Sequence, residues 1–353
     1  MRDRFAVPRT LPPDFARRLL VRAQRLGGPE REEGRSVADT VRLVAGLQAQ
    51  DAGAAALGVR ARLAGVTAGQ VDRARFEERS VARVWCMRGT LHLVPAEDAR
   101  WLVALLGPVG LARGRRRREQ MGVVHGASAA VRAALADGPL TRHEIAARVR
   151  AAGHVLADDP QAPVHLVMTA ALEGHVIEAD SRGREPTYAL TDDWLGPGES
   201  LPDPEAALAE LARRHARAHP PAAPEDLAAW SGLRMGDARR GFAAIAAELE
   251  EVDVLGRRAW VPRGLEPGPH AVRLLPAFDT LLLGHRDRAL TVRPEHARHV
   301  LPGGGILRPT LLVDGLVEGT WRLEGGAPVV APFGDAPAGL DDEAADVVRF
   351  RRG

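Results

Sequence analysis

Residues 127–190 read ASAAVRAALADGPLTRHEIAARVRAAGHVLADDPQAPVHLVMTAALEGHVIEADSRGREPTYAL, and the order of elements in this stretch decides the fold. Ala127 to Leu135 reads as a helix, Gly138-Pro139-Leu140-Thr141 breaks it, and Arg142 to Arg150 forms a second helix. A third is predicted from about Pro163 to Leu172, with Val164, Val167, Met168 and Leu172 on one stripe and Gly174 as its stop. Val176-Ile177-Glu178-Ala179-Asp180 and Thr187-Tyr188-Ala189-Leu190 then read as two short strands around the polar turn Ser181-Arg182-Gly183-Arg184-Glu185. Three helices followed by a β-ribbon make a winged helix.

The same order returns on the far side of the Pro/Gly-rich joint at 196–204. Helices are expected from Pro204 to about Arg217, from Glu225 to Ser231 after the break His219-Pro220-Pro221, and over Gly236 to Leu249, with a strand pair around Gly256-Arg257-Arg258. The N-terminal part, with helices near Asp14 to Leu26 and Ser36 to Leu47 and a ribbon near Val84 to Val94, is a third and diverged copy. From Ala271 onward, short strands at Leu281 to Leu283, Leu311 to Val313 and Val317 to Trp321 alternate with Gly/Pro turns, as in a small antiparallel barrel or sheet. Gly303-Gly304-Gly305 reads as a flexible turn, because no strand-to-helix phosphate loop surrounds it. The fold class expected is α+β: tandem winged-helix domains around a C-terminal β-barrel or small antiparallel sheet. The boundaries expected are 1–122, 123–198, 199–265 and 266–353.

Composition narrows the chemistry. The 353 residues are 45% apolar and 27% charged, which suits a globular protein with two or three cores. No stretch approaches the roughly 18 apolar residues of a membrane span, and Met1-Arg2-Asp3-Arg4 lacks the apolar core of a signal peptide, so a cytoplasmic, nucleoid-associated location without a membrane partner is expected. A single cysteine, Cys86, excludes an internal disulfide, a Cys-rich zinc site and an iron-sulfur cluster. The net charge is only +2, yet every Lys-or-Arg position is arginine, since lysine is absent. That absence excludes a GK[ST] phosphate loop, a pyridoxal Schiff base and a lysine-dependent lyase step on an abasic sugar. No metal and no cofactor are expected, and the protein is expected to be a monomer.

A winged helix presents the exposed face of its third helix to a major groove, which makes duplex DNA the default partner. Winged helices also bind proteins, so the chemistry must come from particular residues. Leu47-Gln48-Ala49-Gln50-Asp51 closes a predicted helix whose buried stripe is Val37, Val41, Val44 and Leu47. Residues two apart diverge by about 200° on a regular helix, so Gln48 and Gln50 converge on one target only if the helix ends or bends there. Gly46 and Gly53 permit it. A solvated polar helix end is the alternative. In Trp85-Cys86-Met87-Arg88-Gly89-Thr90-Leu91-His92-Leu93-Val94 the alternation from Thr90 to Val94 suggests a strand with Thr90 and His92 on one face, a possible pocket wall. Leu274 to Arg286 adds Asp279, His285 and Arg286, although a core strand with a polar end has the same pattern. Arg113, Arg115, Arg116, Arg117 and Arg118 would bind DNA phosphates or simply solvate a helix end.

These segments together, Gln48-Ala49-Gln50, Arg88-Gly89-Thr90-Leu91-His92, Leu274 to Arg286, and Pro309 to Gly315 with Gly319-Thr320-Trp321-Arg322, resemble the AlkZ-like alkylpurine DNA glycosylases over essentially the whole chain. The resemblance implies tandem winged helices around a β-barrel and a catalytic Gln-apolar-Gln or Gln-apolar-Asp motif. This sequence matches the first form at Gln48, Ala49 and Gln50; Asp51 is displaced by one residue from the acidic position of the second.

The implied activity is hydrolysis of cationic N7-alkylated purines from double-stranded DNA without lyase action. The Gln-apolar-Gln form resembles the branch that gives antibiotic producers self-resistance by removing bulky guanine adducts or crosslinks. Such a base already carries a positive charge, so neutral amides that orient water and support a cationic sugar suffice. Bulky adducts call for an open channel rather than a snug pocket for a flipped base. Asp51, Trp85, Arg88, Thr90, His92, Asp279, His285 and Arg286 are expected to line the site. The rival reading is a non-catalytic winged-helix transcription regulator, indifferent to Gln48.

Overall fold

The computed structural model describes residues 9–28, 31, 35–123, 126–183, 185–198 and 200–353. The chain start at Met1 to Arg4, Arg184 of the polar turn and Glu199 of the Pro/Gly-rich joint lie outside them. The chain divides into two compact units: residues 1–71, 208–230 and 234–353 form the first, and 72–207 with 231–233 the second.

The second unit opens with an antiparallel hairpin, Val81–Trp85 against Leu91–Pro95, in which Val84 faces His92 and Trp85 faces Leu91. A long helix, Ala96–Gln120, follows. Then come the helices Ala127–Ala134, Arg142–Ala151 and Ala162–Leu172 and the paired strands Val176–Arg182 and Glu185–Leu190, in the order expected. The Thr141 hydroxyl accepts from Glu144 N while the Glu144 carboxylate accepts from Thr141 N, so the break at Gly138-Pro139 restarts as a capped helix. Val131, Leu135, Ile145, Val149, Leu166 and Val167 close a common core.

The helix Ala162–Leu172 is enclosed. Eight of its residues are buried, and only Val164, His165 and Met168 reach partial exposure. The long helix passes so close to its end that a Cβ placed on Gly107 would lie 2.0 Å from the Leu172 carbonyl oxygen, and one on Gly110 would lie 3.2 Å from the Leu172 side chain. Glycine at both positions is what lets the backbones approach.

The first unit contains the helices Pro13–Ala23, Val37–Leu43 and Ala52–Arg62, and later Pro224–Ser231 and Met235–Ala244. The strands Leu249–Val254 and Arg257–Pro262 pair antiparallel, and Arg9–Thr10 runs parallel to the former. A four-stranded antiparallel sheet, Val272–Leu275, Thr310–Val313, Leu316–Glu324 and Ala327–Pro332 in that order, precedes the last helix, Leu340–Arg352. Of the two C-terminal alternatives, small antiparallel sheet describes the region; no closed barrel occurs among the described residues.

Several elements depart from expectation. Leu281 to Leu283 is a helical turn, Thr280–Leu283, rather than a strand: the Asp279 carboxylate accepts from Leu281 N at 2.9 Å and nucleates it. The strand expected within Leu274 to Arg286 therefore covers only Val272–Leu275. The helix expected to reach Leu249 stops at Ala244, passes through a short 3₁₀ turn, Ala246–Glu248, and gives way to a strand at Leu249. Thr90 lies just outside the strand Leu91–Pro95.

Candidate active site

The helix Val37–Leu43 stops four residues earlier than its apolar stripe suggests. Gly46 N donates to Val41 O at 2.9 Å and Ala45 N to Arg42 O at 3.1 Å, with Ala45 at φ 60° and Gly46 at φ 93°. This is a Schellman termination in which alanine occupies the left-handed position that glycine usually fills. The chain then becomes extended at Leu47–Gln48. In extended backbone, residues two apart share a side. Burial follows that rule: Leu47 and Ala49 are buried, Gln48 is half-buried and Gln50 exposed. The geometric condition on the glutamines, a helix that ends before Gln48, is met. Gly46 supplies the bend, whereas Gly53 lies within the next helix.

Asp51 has a defined local task. Its carboxylate accepts from Ala54 N at 3.0 Å and caps the helix Ala52–Arg62 directly behind the motif. The far end of that helix is pinned by two fully buried arginines. Arg62 Nη1 and Nη2 donate to the two Asp279 oxygens at 2.8 and 2.7 Å, and Nη2 also donates to Gln24 Oε1 at 2.7 Å. Gln24 Nε2 in turn donates to Ala218 O at 2.7 Å. Arg60 donates to Glu343 at 2.7 Å, Asp346 at 3.1 Å and Leu274 O at 2.8 Å. Asp279 is thus wholly buried in an ion pair and a helix cap. His285 Nε2 donates to Pro221 O at 3.0 Å, and the Arg286 backbone N–H donates to Asp226 while its side chain is exposed.

The remaining predicted residues belong to the second unit. Trp85 is buried and stacks on Tyr188, with ring centroids 6.0 Å apart. Arg88 sits at φ 56° in the tight turn Met87–Gly89. The Thr90 hydroxyl donates to Met87 O at 3.0 Å. His92 is buried with Nδ1 3.1 Å from Thr90 O; burial, reinforced by the Arg88 charge, pushes its pKa down to about 3, so the ring is neutral at physiological pH. Arg113, Arg115, Arg116 and Arg117 are exposed along the end of the long helix, and Arg118 is half-buried with Nη1 donating to Leu111 O. Arg117 pairs with Asp159 at 3.3 Å.

Sequence reading missed Arg60, Arg62 and Gln24, and also the buried group His215, His219 and Trp230, whose rings lie 5.1 to 6.0 Å apart. His215 Nε2 donates to Gly284 O at 2.9 Å, and a Cβ on Gly284 would lie 2.1 Å from His219 Nδ1. The spacing of His215 and His219, one helical turn, was the available signal.

The family model described as DNA glycosylase AlkZ-like matches residues 41–350. The chain is similar to an interstrand DNA cross-link repair glycosylase of Streptomyces sahachiroi, 29% identical over 336 residues that cover 89% of this chain and 90% of that protein. It is also similar to the solved structure of the Streptomyces sahachiroi DNA glycosylase AlkZ, at TM-score 0.78 and 25% identity over 97% of both chains. A match that takes in the Gln48-Ala49-Gln50 segment and runs to the last helix leaves one assignment: the chain belongs to the AlkZ-like DNA glycosylase family.

Proposed function

We propose that this protein is a monofunctional DNA glycosylase for cationic N7-alkylated purines, including bulky guanine adducts and interstrand crosslinks, with Gln48 and Gln50 as its catalytic pair. The observation that carries this reading is the Schellman turn, which ends the helix before Gln48 and is followed by a segment with Leu47 and Ala49 buried while Gln48 is half-buried and Gln50 exposed. The relative named for interstrand cross-link repair supports the substrate class. The order of three helices and a hairpin supports winged-helix domains with the boundaries 1–122, 123–198, 199–265 and 266–353.

The chemistry requires little of the enzyme. Water oxygen bonds to C1′, the C1′–N9 pair leaves with the purine and neutralises its ring cation, and the water proton passes to solvent. One Gln carbonyl orients the water, and the other amide supports the oxocarbenium-like sugar through its dipole. With no lysine in the chain, the abasic product is left intact. The enclosure of Ala162–Leu172, which carries no arginine, speaks against sequence reading by that helix and hence against a regulator. Action as a monomer in the cytoplasm, in self-resistance or general alkylation repair, completes the proposal.

The test is base release from duplexes carrying N7-methylguanine, a bulky N7-guanine adduct or an N7-linked crosslink. Wild type is expected to release base, and Gln48→Ala and Gln50→Ala to lose about a hundredfold to a thousandfold in rate, the usual loss of one transition-state dipole. Equal release by all three would refute the pair, and no release by wild type from any substrate would refute the activity.

A further inference from the structure

We propose that the helix Met235–Ala244, and not Ala162–Leu172, lies against the DNA backbone, with Arg234 and Arg239 contacting phosphates. The inference rests on the DNA-glycosylase reading and extends it to a binding surface.

The two helices hold the same place in their segments, each third of three and each followed by a hairpin. Their surfaces differ completely. Ala162–Leu172 buries eight residues and offers solvent no arginine. Met235–Ala244 buries only Ala238, Gly241 and Phe242, a stripe at i, i+3 and i+4. That stripe is tight: a Cβ on Gly241 would lie 3.0 Å from Ala212 Cβ and 3.1 Å from Leu208 O. The helix is therefore firmly seated by one narrow face while the rest of it is turned outward.

That outward surface is cationic. Arg234, at the N-cap, and Arg239 and Arg240 are all exposed. Arg240 pairs with Asp237 at 3.1 Å one turn back, whereas the side chains of Arg234 and Arg239 make no hydrogen bond or ion pair among the described residues. Several exposed arginines elsewhere in this unit are matched by acids. Arg217 meets Glu248 at 3.1 Å, and in the adjoining hairpin Arg257 pairs with Asp287 and Arg258 with Glu251. Two unmatched guanidiniums on one ordered helix, with exposed Gly236, Ala243 and Ala244 offering no bulk, leave the helix free to come close to a chain of fixed negative charge. A duplex phosphate backbone fits: guanidinium forks match phosphate oxygens, and the contact needs no base sequence.

The double variant Arg234→Gln/Arg239→Gln tests this by binding to an undamaged duplex across a salt series. Expected are about tenfold weaker binding near physiological salt and a log K against log[salt] slope shallower by about 1 to 2, one phosphate per arginine. The control Arg257→Gln/Arg258→Gln, which removes arginines already paired with acids, should bind nearly as wild type. Wild-type binding and slope in the double variant, with wild type itself binding DNA, would overturn this surface and leave the catalytic reading standing. A wild type that binds no duplex at all would overturn both.

Discussion

Gln48 and Gln50 carry no titratable proton, and this has a consequence for rate. Of the two histidines that the sequence groups with them, His285 has its Nε2 on Pro221 O, and His92 is buried with its pKa lowered to about 3, so it stays neutral from pH 5 upward. No group proposed for the reaction changes charge near neutrality. Release of an N7-alkylguanine is therefore expected to be flat from about pH 6 to 8.5, whereas an essential acid or base would impose a limb at its pKa. A sloping limb near pH 6.5 in single-turnover rates would mean that a titrating residue acts in the step. Asp51 permits a second residue-scale test, because capping and catalysis separate on substitution. Asp51→Asn retains an N-cap acceptor and is expected to keep both stability and base release, while Asp51→Ala should lose about 1 kcal/mol by denaturant unfolding with release from folded enzyme unchanged. A hundredfold loss in the Asn variant would make Asp51 a participant. The Gln48-Ala49-Gln50 segment was singled out by its resemblance to the family motif, while the helix end before it has a local signal in Gly46. The pairing of Asp279 was not legible: the Arg62 that buries it lies 217 residues away, and no local pattern encodes an ion pair at that separation.

Elements whose ends are set by local hydrogen bonds were legible, and those set by distant packing were not. Residues 127–190 could be read because Gly138-Pro139, the Thr141–Glu144 capping box and Gly174 act within a few residues of the helices they start or stop. The apolar stripe Val37, Val41, Val44, Leu47 instead overran its helix, because Val44 and Leu47 are buried without being helical. Likewise Leu281 and Leu282 are core residues, and an apolar run of three fits a helical turn as well as a strand. Two elements carry tests. Ala45 holds a left-handed conformation at φ 60° that costs an L-residue about 1 kcal/mol, so Ala45→Gly is expected to raise stability by up to that amount at constant fold. A loss on that change would mean that the buried Ala45 methyl outweighs the strain. Gly107→Ala should do the opposite and strongly. Its Cβ would fall 2.0 Å from Leu172 O, which forces the long helix and Ala162–Leu172 apart, and overpacking of this kind costs about 1 to 3 kcal/mol or more. Wild-type denaturant stability in that variant would show that the two helices can separate at little cost.

At the scale of the whole molecule, fully buried histidines make stability depend on pH well above the carboxylate range. His92 is lowered to about 3 and His215 to about 4, and His219 is held well below 6.5, in each case chiefly by burial. Unfolding returns each ring to water, where it takes up a proton near pH 6.5. The unfolded chain therefore binds more protons than the folded one below that pH, and stability must fall as pH falls; it is fully present above about 6.5 and erodes from there down towards the folded values. Each such proton contributes about 1.4 kcal/mol per pH unit, so three acting together approach about 4 kcal/mol per unit once the unfolded rings are charged. Urea midpoints measured at intervals from pH 7.5 to 5.5 are expected to drop in that range, before most carboxylates begin to protonate, with proton uptake on unfolding rising towards three. A midpoint independent of pH over that interval would require these rings to hold their protons in the folded state, and the neutral, unprotonated His92 on which the flat rate profile depends would fall with it.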